Sequence, residues 1–239
     1  MIICGLMIVF SPDSLSMIFV IVQSLLMLLG YVFGIYRVSR FSNGFNIGRQ
    51  TIKHTQDEIQ SDEVWISLSR NESIFQNDSL DKDFDEYRKL VAKRKANPNA
   101  TLPDIEDVFN EDSISIKIWR GAINQIPETL TSIGILGTFV GLIIGVGSIG
   151  FSSVAAAVTS LKTLIDGIEI AFYTSIVGII LSICFNLIYK FFWNILIKDM
   201  YLFVDDFHKN VIPSEEEQMR ELQSKYYLTM LRQCEEHNE

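Results

Sequence analysis

Three apolar runs organise the chain: residues 15–36, 126–150 and 168–189. Each is long enough to cross a hydrocarbon core, which takes ~20 residues of helix. Their small and polar positions are not scattered. At 100° per residue, Gly134, Thr138, Gly141, Gly145 and Ser148 fall on one narrow face of the second run, with Gly137 beside it. In the third run Ala171, Ser175, Ser182, Asn186 and Tyr189 share a face, with Gly178 at its edge. Each predicted helix thus has a lane of small or hydroxyl side chains on one side and Ile, Leu, Val and Phe on the others. Such a lane has two readings. Small residues let membrane helices approach closely. A polar lane can also line a path for an ion or a polar partner. The glycines fit the first reading. Thr138, Ser175, Ser182 and Asn186 gain nothing from facing lipid, so they keep the second reading open.

The first run is interrupted only by Ser16, Gln23 and Ser24, and Asp13 is the one charge in residues 1–36. A cleaved signal peptide fits poorly, because there is no basic leader and no small-x-small cleavage pattern after the run. Residues 1–10 are too short to span, and are expected to lie along the outer leaflet or against the bundle. Arg37, Arg40, Arg49 and Lys53 follow at once, which places that end in the cytoplasm. Of the 20 Lys and Arg residues, only Lys162 falls between the second and third runs. The predicted topology is therefore N-terminus out, three spans, C-terminus in. The expected segments are an outer segment and first span (1–36), a cytoplasmic helical insert (37–125), a second span (126–150), an outer loop (151–163), a third span (164–193) and a cytoplasmic helix (194–239). Within the insert, 50–68 and 81–95 have helical spacing, and ANPNATLPD (96–104) is a turn-rich break. Ser214 with Glu217, after Pro213, reads as a capping box. Met219, Leu222, Tyr226 and Leu231 then form an apolar stripe that runs on without a stop signal, so a longer helical tail is expected.

Composition narrows the function. A net charge of −9 argues against a nucleic-acid surface. Cys4, Cys184 and Cys234 are too dispersed for a disulfide framework or a zinc site. His54, His208 and His237 lie in polar sequence and read as solvated. No catalytic triad, metal-ligand spacing or phosphate loop is present, so an enzyme is not expected. One acidic cluster, Asp78, Asp81, Asp83, Asp85 and Glu86, has two readings. It could hold calcium, though it lacks the EF-hand pattern. Alternatively it is a solvated helix start, where acidic residues are favoured. No other cofactor is expected.

The segment TSIGILGTFVGLIIGV (131–146) resembles the second-helix signature of the MotA/TolQ/ExbB proton-channel family, and GIEIAFYTSIVGI (167–179) resembles its third-helix signature. Serine stands at 175, where the family usually has threonine. That departure resembles the membrane subunit of the Zorya anti-phage systems more than the flagellar or Ton/Tol members. The resemblance implies an all-α integral membrane protein with three transmembrane helices, two of them extended into the cytoplasm, in a ring-shaped pentameric bundle. It also implies a dimer of a single-span partner of the MotB, ExbD, TolR or ZorB kind, whose aspartate binds the proton. The residues point the same way, since neither lane carries a carboxylate near its middle; Asp166 and Glu169 lie near the outer end of the third helix. The expected path is Thr138 and Ser175 facing that carboxylate. Gly134, Gly141, Gly145 and Ala171 would keep the wall thin, and Ser182 and Asn186 would lead to the cytoplasm. One charge moved through 100 mV yields ~2.3 kcal/mol. A flagellar stator, an energiser of outer-membrane transport and a non-conducting scaffold would share these helices.

Overall fold

The computed structural model describes residues 7, 11, 13–58, 63–95, 100–147, 149–150 and 154–236. Among these, all regular structure is helical. Ser14–Gly30 (α1) passes through one wide π-type turn, Tyr31–Ile35, into Tyr36–Glu58 (α2). Val64–Arg70 (α3), Asp78–Lys95 (α4), a short 3-10 turn at Ile105–Asp107 and Glu111–Ile118 (α5) follow. Arg120–Gly147 (α6), Val154–Asn210 (α7) and Glu215–Glu236 (α8) complete the chain. Three helical segments, starting in α1, α6 and α7, are long and apolar enough to cross a membrane.

The helices overrun the expected boundaries in several places. The outer loop expected at 151–163 is helical from Val154 onward. Ala155, Ala156 and Ala157 are strong helix formers, and no Gly or Pro interrupts 154–166. Residues 151–153 and Ser148 lie outside the described residues. α7 also continues past the third apolar run to Asn210, since 179–210 contains neither Gly nor Pro. In the insert, the stretch expected to be helical over 50–68 is helical in Tyr36–Glu58 and Val64–Arg70, and residues 59–62 lie outside the described residues. α6 begins at Arg120, where Trp119 takes a left-handed φ of 62° and separates it from α5.

The chain divides into two compact units. The first comprises Met1–Val38 and Ser115–Trp193. Here α1 buries Ser16, Val20, Gln23 and Gly30. A Cβ on Gly30 would lie 2.7 Å from the Phe185 ring and 2.9 Å from Ile126, so the missing side chain is what admits both. The Arg120 guanidinium sits 4.1 Å from the centre of the Trp193 ring, a cation–π pair.

The second unit comprises Ser39–Ile114 and Asn194–Glu239. Its centre is aromatic. Phe45, Phe75, Phe84, Tyr87, Phe109, Phe203 and Phe207 are all buried. Ring centroids lie 4.9 Å apart for Phe75 and Phe203 and 5.4 Å for Phe75 and Phe109, within the range of favourable aromatic pairs. Gly48 admits Phe75, whose ring would be 2.7 Å from an added Cβ. Polar contacts tie α2 to the end of α7. Asp199 accepts hydrogen bonds from Ser42 and Asn46, and Asp206 pairs with Arg49 at 2.8 Å.

Asp104 binds three groups at once. It contacts His208 Nε2 at 2.8 Å and accepts from the amides of Glu106 at 2.9 Å and Glu215 at 3.1 Å. Burial alone would raise its pKa, but the two amides and His208 outweigh it, and the net shift is downward. His208 is thus a half-buried hydrogen-bond partner of Asp104 rather than the solvated histidine expected. The neighbouring Tyr87 phenol donates to Pro103 O, and burial, with Asp104 and Asp107 nearby, pushes its pKa well above the usual phenol range. At the start of α8 the Glu217 amide donates to Ser214 Oγ at 3.4 Å, as the capping pattern anticipates. Met219, Leu222, Tyr226 and Leu231 of that helix are exposed.

The acidic cluster does not converge. Asp81 turns onto the loop before α4, accepting from Ser73 Oγ and from the amides of Ile74, Phe75 and Asn77 at 2.8–3.0 Å. Asp85 pairs with Arg88. Among the described residues no three His, Cys, Asp or Glu side chains are placed to hold a metal ion, so the calcium reading of Asp78, Asp81, Asp83 and Asp85 has no geometric support. Asp81→Ala would leave three backbone amides without their acceptor. It should cost about 2–3 kcal/mol, seen as a lower melting temperature in detergent, while a calcium chelator leaves the melting of the unsubstituted protein unchanged.

Candidate functional site in the membrane unit

The glycine face of α6 lies against α7. An added Cβ on Gly134 would be 3.1 Å from Thr174 O and 3.2 Å from Ser175 Cα. On Gly137 it would be 2.5 Å from Thr174 Oγ1, on Gly141 2.6 Å from Gly167 O, and on Gly145 3.2 Å from Leu164 O. Gly167 is the reciprocal notch, with Gly141 O 2.5 Å from its own would-be Cβ. The two backbones therefore stay in near contact from Gly134 to Gly145, which only small side chains allow. Gly134, Gly141, Gly145 and Ala171 are all buried. Of the two readings the lanes allow, close packing within one chain accounts for these four.

The hydroxyls sit on and beside this seam. Thr174 is fully buried, and its Oγ1 donates back to Ile170 O at 3.0 Å or Ala171 O at 3.2 Å. Thr138 is half-buried at the seam's edge. Its Oγ1 lies 3.1 Å from Gly134 O and 3.4 Å from Ala171 O, so it reaches the carbonyl one turn before Ser175. The structure thus brings Thr138 and the Ser175 turn together. Ser175, Ser182 and Asn186 are half-buried and have no hydrogen-bond partner among the described residues. Between them they mark one edge of α7, next to the face that packs on α6. Asp166 is half-buried and Glu169 exposed, both near the start of the span.

One polar residue of this site was mentioned in the sequence but not singled out. Gln23 in α1 is fully buried, and its Nε2 donates to Thr174 O at 3.4 Å. A lone glutamine in an apolar run was the available signal. Its target could not be read from spacing, because the two residues lie 151 positions apart.

Residues 79–201 match the MotA/TolQ/ExbB proton channel family. The chain belongs to that family. The match reaches from α4 through both glycine-lane helices and into the extended end of α7. With three spanning helices, this makes the chain a multi-pass protein of the bacterial inner membrane. A 67-residue stretch is also 42% identical to the Zorya protein ZorA of Escherichia coli (strain Crooks). That stretch is 28% of this chain and 12% of ZorA, so the chain matches only a small part of its relative. Both the family and the ZorA-like branch agree with the motifs at 131–146 and 167–179.

The glycine seam predicts its own mutational pattern. Gly167→Val places a branched side chain where 2.5 Å is available and should separate α6 from α7, lowering the melting temperature and the yield of folded protein. Gly147→Ala, with nothing within 4 Å of the added carbon, should melt like the unsubstituted protein.

Proposed function

We propose that this chain is the ring-forming subunit of a proton-driven motor. Five copies surround a dimer of a single-span partner, and the partner's intramembrane aspartate carries the proton. The carrying observation is the edge of α7. Ser175, Ser182 and Asn186 are polar, half-buried and unbonded among the described residues, in a helix otherwise faced with Ile, Leu and Phe. Polar side chains in a span belong to an interior or a water-filled cavity, not to lipid. The middle of α6 and α7 offers no carboxylate, so the titrating group comes from another chain. Ser175 donates to that carboxylate or to the water beside it, and Thr138, whose own proton goes to Gly134 O, accepts from the carboxyl once it is protonated. Once protonated, it is neutral and can leave one hydroxyl for the next, which turns partner against ring. Ser182 and Asn186 extend the polar edge towards the cytoplasm. The basic residues at 37–53, 117–120 and 190–198 support a topology with the N-terminus outside and the C-terminus inside.

The likeness to ZorA supports anti-phage defence as the process that uses this motor. Energising outer-membrane transport or flagellar rotation is the neighbouring alternative within the family. One observation favours a second reading, a non-conducting scaffold: the glycines are fully used in packing α6 on α7. Proteoliposomes holding the ring and its partner separate the two. Thr138→Ala combined with Ser175→Ala should abolish proton flux while the complex still elutes as the intact oligomer. Full flux in that double variant, or none in the unsubstituted complex, would defeat the proposal.

A further inference from the structure

Gln23 is a carboxamide buried in a membrane span, and only part of it is satisfied. Its Nε2 donates to Thr174 O at 3.4 Å, while its Oε1 is buried with no hydrogen-bond partner. Burying an amide without partners is costly in hydrocarbon, so packing alone does not account for glutamine at this position. The place it occupies is shaped for it. A Cβ on Gly178 would stand 2.8 Å from Gln23 Nε2, 2.8 Å from Leu130 O and 3.1 Å from Gly134 Cα. All three helices of the membrane unit thus meet at Gly178, and glycine there is what lets the amide reach the Thr174 carbonyl. In α7 that carbonyl belongs to the residue immediately before Ser175.

We propose that Gln23 is a positioning residue for proton transfer. From α1 it holds the Thr174–Ser175 turn by its backbone, and so sets where the Ser175 hydroxyl stands, while Oε1 is kept as the acceptor for a water molecule. This rests on the proton-conducting reading above and adds a role for α1, whose apolar sequence otherwise suggests a passive span. Neither the Gln23 amide nor the Thr174 carbonyl titrates, and neither do Leu130 and Gly134 of α6 beside Gly178, so the native contact itself does not depend on pH.

Two variants of the full chain, assembled with its partner in proteoliposomes, test this. Gln23→Met keeps the length and removes the donor. It should assemble normally and conduct about tenfold more slowly, the weight of one hydrogen bond. Gln23→Glu can donate to Thr174 O only while protonated, so its flux should approach the unsubstituted value at low pH and fall as pH rises while the oligomer stays intact, which separates a lost positioning bond from disruption of the fold by a buried charge. Flux within twofold of normal in Gln23→Met, or a normal pH profile in Gln23→Glu, overturns the proposal. Loss of the assembled oligomer in both variants makes Gln23 a structural residue and also overturns it. No flux in the unsubstituted complex instead removes the conducting reading on which the proposal stands.

Discussion

Gly141 and Gly167 bring two helix backbones closer than any side chain would permit, and the membrane unit is built around that approach. With Gly141 O only 2.5 Å from a would-be Cβ on Gly167, the seam tolerates hydrogen and nothing larger. Lipid tails are as apolar as leucine, so membrane helices gain little by hiding Leu or Ile from lipid. Dispersion and hydrogen bonds across a tight contact must hold them together. The run of glycines from Gly134 to Gly145 supplies that contact along the seam. It also fixes the rotation of α7 about its axis. Once Gly167, Thr174 and Gly178 face inward, Ser175, Ser182 and Asn186 are committed to one edge.

That edge gives the packing a chemical consequence. Thr174 and Thr138 return their hydroxyl protons to helix carbonyls and are largely self-satisfied. Ser175, Ser182 and Asn186 are not, and in hydrocarbon such groups seek polar company. A rigid, dry seam beside an unsatisfied polar edge suits a wall along which a neutralised carboxylate can step. Gln23 meets the same seam from α1, with its amide on the Thr174 carbonyl beside Gly178.

The second unit follows different physics. Its core is a cluster of buried aromatic rings, and burial of that aromatic area supplies the stability. The polar contacts around Asp81, Asp104 and Asp199 tie loops and helix ends to that core. Asp81 shows how a motif can mislead. Its cluster of carboxylates looks like a cation site on paper, yet the loop from Ser73 to Asn77 presents its amides to the same oxygens, and the carboxylate is used in folding.

Helix type, the number of spans, the glycine lanes and the family motifs could be read from the sequence, because helical periodicity and hydrophobic length are local properties. The continuation of α7 to Asn210 accords with the helix extension that the family resemblance implied, whereas composition by itself marked only the change from apolar to polar at 194. What periodicity could not decide was the use of each face. A lane of Gly134, Thr138, Gly141 and Gly145 is the same pattern whether it meets a sister helix, a partner or an ion. Only the three-dimensional contact showed that α7 takes the glycines while the hydroxyl and amide edge stays unsatisfied. The bond from Gln23 to Thr174, the His208–Asp104 pair and the inward turn of Asp81 were likewise settled by tertiary structure. Each joins groups whose partners are chosen by packing, whether across the chain or across a loop, and a sequence does not list which distant neighbour a side chain will meet.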